Sequence, residues 1–208
     1  KADAVLKAAW NVPASISNDM LPSLSMSYKT LARQSEIRPN IAKKEKSRKK
    51  KIILIDNMDS FTHNIRDAIV KLGCEVIIVN GWSEHPDEDV AIWVSDVIGK
   101  HSPDGIVIGP GPSRPESYNR TTVLANMGIN GELISGKGQI PLLGICLGHQ
   151  AICLADGSNL TRSPNGPVHG SPVSVENDGT GLFSELAEEH SMMRYNSLVI
   201  LNVGESMV

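Results

Sequence analysis

A doubly wound, mostly parallel α/β fold is predicted over residues 51–208, and three observations predict it. Short apolar runs of strand type recur from residue 52 onward, each followed by a segment of helical character. Two of these runs end in glycine-rich corners, GIVIGPGP and PLLGICLG, and sheets of this class form their sites at strand carboxyl ends. The chain's 208 residues are enough for one such domain with a sizeable core and an appendage.

Each element has its own justification. IILI (52–55) is a short apolar run ending in DNMDS, whose Asp59 and Ser60 read as helix caps. FTHNIRDAIVKLG follows as a helix with Gly73 as its stop. EVIIVN (75–80) is the second strand, and a weaker helix lies near 87–99. GIVIG (105–109) is the third strand and runs into the loop PGPSRPES. A helix is expected over 121–135, and IPLLGI (140–145) is the fourth strand.

Composition narrows the function classes. The chain is 40% apolar and 21% charged, ordinary for a globular domain. No apolar stretch approaches the ~20 residues of a membrane-spanning helix, so no membrane partner is expected. Cys74, Cys146 and Cys153 form no CxxC pair, which argues against a disulfide framework and for a reducing compartment such as the cytoplasm. Residues 1–51 hold 12 Lys or Arg against 4 Asp or Glu, whereas the remainder is acidic. The basic run KKEKSRKKK (43–51) has no interleaved aromatics to stack bases, so residues 1–50 read as a basic linker and no nucleic-acid partner is expected. A transit remnant, which would place the protein in a plastid, is the alternative for this Ser-rich, acid-poor segment.

The corner GICLG (144–148) carries the chemistry. A G-x-nucleophile-x-G sequence between a strand and a helix has the context of a nucleophile elbow. The tight turn requires glycines, and the helix N-terminus beneath Cys146 favours thiolate. The Leu147 N–H is expected to be free for an oxyanion. Cys153, two turns further along, and Cys74, at a strand entrance, read as core. His149 and His169, the latter in the PVHG turn, read as structural. His63, His85, His101 and His190 lack metal-ligand spacing, and no metal is expected.

PLLGICLGHQAI resembles the signature of class I (triad-type) glutamine amidotransferases. IILIDNMDSFTHNI, GIVIGPGPSRPES, PVHG (167–170) and MRYNSLVI (193–200) are similar to further landmarks of that family, in its order. The branch resembled is the glutaminase component of anthranilate synthase or aminodeoxychorismate synthase. The resemblance implies a flavodoxin-like fold, with Cys146 attacking the side-chain amide of L-glutamine to give a γ-glutamyl thioester and ammonia. It implies an oxyanion site at Leu147 and Gly111, and glutamine contacts from Gly111, Pro112, Ser113, Gln150, Ser197 and Leu198. Ammonia would pass to a chorismate-binding synthase as partner. No cofactor is implied in this domain, and Mg2+ only in the synthase.

Two departures bear on this reading. Asn196 stands where the resembled branch has His. The family's catalytic His and Glu lie beyond the landmark at 194–198, and this chain stops at GESMV, so a C-terminally incomplete domain of a longer protein is expected. The first residue is Lys1, not Met, so a segment upstream is expected, and the stretch KADAVLKAAW, similar to the closing helix of chorismate-binding synthases, points to a synthase fused N-terminally. Against the enzyme stand two readings, a catalytically inactive interaction or regulatory module on the same fold and a different elbow hydrolase.

Overall fold

β1 (Lys51–Asp56) forms because KIILID offers an uninterrupted β-branched and leucine run, and its central residues Ile53, Leu54 and Ile55 are buried. The computed structural model in which it lies describes residues 48–85, 87–177, 179, 184 and 189–201. The synthase-like stretch and most of the basic linker expected at 1–50 lie outside the described residues, as does the end of the chain. The last residues of the basic run join the sheet: Lys50 O accepts from Glu75 N (2.8 Å), and Arg48 binds Asp104 (2.6 Å).

α1 (Thr62–Lys71) leads to β2 (Glu75–Asn80), α2 (Val90–His101) to β3 (Gly105–Ile108), and α3 (Asn119–Ile129) to a small hairpin, β4 (Ile134–Ser135) with β5 (Gly138–Gln139). β6 (Leu142–Gly144) then turns into α4 (Leu147–Ala155). The four-stranded sheet has the order β2-β1-β3-β6, and every pairing in it is parallel. This is the expected α/β architecture. The chain order reverses between β1 and β3, so a crevice opens at their carboxyl ends.

One core cluster joins Ile53 and Ile55 of β1, Ile106 and Ile108 of β3, Val94 and Ile98 of α2, Leu124 and Ala125 of α3, and Ala151 of α4. Leu54 and Val107 alternate to the opposite face of the sheet and are buried as well. Burial on both faces explains why these strands are apolar throughout. Each such side chain contributes about 1.5–3 kcal/mol when fully buried.

Some expectations are corrected. The helix expected over 121–135 starts at Asn119 and ends at Ile129, because Gly131 takes a left-handed conformation (φ +73) and the chain folds into the β4–β5 hairpin. Cys74 is half-buried, not core, since it sits at the open lead into β2. Phe61, and neither Asp59 nor Ser60, occupies the N-cap of α1. Asp59 Oδ1 instead accepts from Phe61 N (2.7 Å), and Asp56 Oδ1 takes the Thr62 hydroxyl (2.7 Å).

PVHG is not a turn. It opens β8 (Val168–Glu176), which pairs antiparallel with β9 (Glu189–Asn196) across a register shift between His169 and Ser171. β10 (Leu198–Leu201) pairs antiparallel with β7 (Asn159–Arg162). Among the described residues no helix is long and apolar enough to cross a membrane.

Candidate active site

The corner after β6 shows why its sequence is so constrained. Cys146 has φ 54 and ψ −109, a conformation that costs about 1–3 kcal/mol for a residue with a Cβ. It survives because its neighbours fix it. A Cβ on Gly148 would fall onto the carbonyl of Ile108, and one on Gly144 would lie 2.5 Å from the Gly148 carbonyl carbon and close on His149 N. The elbow can therefore press onto β3 only with glycine on both sides.

The result is an exposed Cys146 at the start of α4. It opens into a cavity of about 840 Å³. Seven of the residues singled out in the sequence line it: Gly111, Pro112, Ser113, Cys146, Gln150, Ser197 and Leu198. They come from the loop after β3, the elbow helix, and the junction between β9 and β10. The proline-glycine loop and the cysteine corner thus meet, as sheet topology requires of neighbouring strands β3 and β6.

Leu147 is placed differently. Its side chain is buried, and its N–H, expected to be free for an oxyanion, bears on the Cys146 thiol, whose pKa it lowers. The thiolate expectation is also corrected. Burial pushes the Cys146 thiol up from its ordinary value, the Leu147 N–H works against that, and the charge of Asp59 adds to the rise. Desolvation outweighs the helix terminus here. His149 supplies no help: its ring lies 3.3 Å from the Cys153 sulfur, one helical turn along, and burial pushes its pKa down. Cys153 itself is buried, as expected. Among the described residues no histidine hydrogen-bonds Cys146, and no group of three His, Cys, Asp or Glu could hold a metal ion.

The cavity has members that the sequence reading did not assign. Arg114, Arg162, His169, Tyr195 and Asn196 also line it. His169 was read as structural, yet its Nε2 lies 3.4 Å from the Ser197 hydroxyl. Pairing of His169 with Tyr195 across the ribbon brings both there, a register that short polar strands do not announce. Asn196 accepts from Arg194 Nε (2.5 Å) and donates to Leu198 O (2.9 Å), while Ser163 N donates to Ser197 O (2.9 Å). Asn in place of His therefore holds the Ser197–Leu198 segment in shape.

A family model described as glutamine amidotransferase class-I matches residues 53–207. The chain belongs to this family. An aminodeoxychorismate synthase from Streptomyces pristinaespiralis is 32% identical over 149 residues, which are 71% of this chain and 18% of that protein. Anthranilate synthase component II of Haloarcula marismortui is 33% identical over 154 residues, 72% of this chain and 67% of that one. A solved glutamine amidotransferase from Thermotoga maritima superposes with a TM-score of 0.54 at 16% identity, over 76% of this chain and 65% of that one, a likeness of fold alone. The chain spans 18% of the length of the Streptomyces relative. The amidotransferase domain accordingly has its family's fold, with the elbow at Cys146.

Proposed function

We propose that this amidotransferase domain hydrolyses L-glutamine and delivers the ammonia to a chorismate-using synthase that makes anthranilate, aminodeoxychorismate or a related aminochorismate. One observation carries the reading: an exposed cysteine on a strained strand–helix corner faces the Gly111–Ser113 loop across a single cavity. The Cys146 sulfur attacks the γ-carbonyl of glutamine, forms a thioester and releases ammonia, and water then frees glutamate. Main-chain N–H groups of the Gly111 loop and of Leu147 take the charge developing on oxygen. Gln150, one turn after the nucleophile, and Ser113 meet the substrate's polar groups, and Ser197 and Leu198 hold its amino-acid end through their main chain. The Cys146 sulfur and main-chain amide donors supply this chemistry without a cofactor in the domain, the thiol proton leaving with the ammonia. Mg2+ belongs to the synthase.

The names of the two relatives support a synthase partner, and residues 1–50 serve in this reading as the linker from a synthase fused ahead of the domain. Three unpaired cysteines suit a reducing compartment, cytoplasm or plastid.

The test is glutamine hydrolysis by the full-length protein with and without Cys146→Ala. Hydrolysis that survives the substitution discards the reading. The raised pKa of the Cys146 thiol favours a second one, a non-catalytic module on the same fold. A full-length wild type that binds its synthase but releases no ammonia from glutamine establishes that alternative.

A further inference from the structure

Asn57 follows β1 by one residue and is fully buried, at the point where the sheet's order reverses. A buried carboxamide needs partners for its donors and its acceptor. Nδ2 donates to the Gly109 carbonyl (2.9 Å), and Oδ1 accepts from the Thr121 hydroxyl (2.6 Å). The Gly109 carbonyl can only accept, which fixes which way the amide faces. Gly109 N in turn donates to Ile55 O (2.9 Å). One side chain therefore ties the carboxyl ends of β1 and β3 to the first turn of α3.

The contact continues into the cavity wall. A Cβ on Gly111 would lie 2.6 Å from Asn57 Cβ, 2.7 Å from Asn57 O and 3.2 Å from Leu147 Cδ1. The Gly109–Gly111 segment is thus wedged between Asn57 and the residue next to the nucleophile. Gly81 leaves room for the clamp, since a Cβ there would fall on Asn57 Oδ1 and lie 2.5 Å from Thr121 Oγ1. Four segments converge on this one amide, and one of them faces Cys146.

We propose that Asn57 is a positioning residue for glutamine hydrolysis: held by Thr121, its carboxamide sets the height of the Gly109–Gly111 main chain over Cys146, where the oxyanion forms. This rests on the glutaminase reading of the Cys146 site. Asn57→Asp keeps the shape and the acceptor for Thr121 but sets a carboxylate oxygen against the Gly109 carbonyl, and their repulsion displaces the loop. Thr121→Val removes one half of the clamp and leaves the bond to Gly109.

The experiment measures kcat and KM for glutamine in the full-length protein, its Asn57→Asp and Thr121→Val variants, and Cys146→Ala. In parallel, the rate of iodoacetamide alkylation at Cys146 is followed by peptide mass mapping, because that reaction needs the sulfur but no oxyanion donor. The expected result for Asn57→Asp is a fall in kcat per alkylatable site of about 100-fold, the scale of a misplaced catalytic geometry. KM should stay within about threefold, as for an interaction made in the transition state. Alkylation of Cys146 should proceed at the wild-type rate, and Thr121→Val should show the same pattern, weaker. Unchanged kcat in both variants overturns the proposal, as does a parallel loss of kcat and alkylation, which marks a structural role alone. Should Asn57→Asp fail to fold, Thr121→Val decides by the same two criteria. Hydrolysis absent from wild type, or retained in Cys146→Ala, overturns the glutaminase reading and the proposal with it, a result distinct from the others.

Discussion

The two walls of the cavity are built on opposite principles. The wall carrying Cys146 and Gly111 rests on β1, β3 and β6, where Ile53, Leu54 and Ile108 have no exposed surface. The wall carrying Ser197, His169 and Tyr195 rests on the β8–β9 ribbon, where Met192 is 54% and Tyr195 58% exposed. The first wall is held by burial, and its geometry can store strain at Cys146. The second is held by a ladder of cross-strand pairs from Val168↔Asn196 to Glu176↔Glu189 and by side-chain bonds around Asn196. Cys146 thus sits on the buried sheet, and Ser197 on the part held by strand pairing and side-chain hydrogen bonds.

This contrast can be broken at either wall, with unequal consequences. The largest effect is expected at Cys146→Ala: glutamine hydrolysis falls by about 10⁴-fold or more, measured as ammonia release, with the folded state intact. Ile108→Ala next opens a hole in the core beneath the elbow and should cost about 2–5 kcal/mol in chemical denaturation. Gly148→Ala drives a methyl into the Ile108 carbonyl, with an expected cost of about 1–3 kcal/mol, and hydrolysis lost beyond what the remaining folded fraction explains. At the ribbon, Met192→Ser should move stability by no more than about 0.5 kcal/mol in the same measurement. A ribbon substitution as costly as Ile108→Ala would erase the distinction between the walls.

A pH experiment sharpens the same comparison at the sheet's other end. The Lys51 N–H, with Lys137 and Arg48, lowers the Asp104 carboxyl from 3.8 to about 2. A group with a depressed folded-state pKa stabilises above its unfolded value and loses that contribution as pH falls through the folded one. Acid unfolding curves of wild type should therefore drop between pH 3.8 and about 2, and Asp104→Asn should remove that part of the drop.

Legibility followed the same division. IILI and GIVIG were readable because a strand buried on both faces must be apolar at every position. The elbow was readable because close approach of α4 to β3 admits only glycine at 148. Strands β8 and β9 were not readable: VHGSPVSVE and EHSMMRYN are exposed along most of their length, so no hydrophobic period marks them. The raised pKa of the Cys146 thiol is not legible in sequence, because a helix terminus is visible there whereas desolvation depends on what packs around the sulfur.

The sequence by itself determined the strand–helix alternation of the parallel sheet, the family, and the glycine-flanked cysteine corner, since each depends on residues adjacent in the chain. Only the tertiary structure decided that residues 57, 109, 121 and 147 converge, and that His169 and Tyr195 enter the cavity. Hydrogen-bond partners and register pair residues far apart in the chain, and their geometry exists only once the sheet has formed.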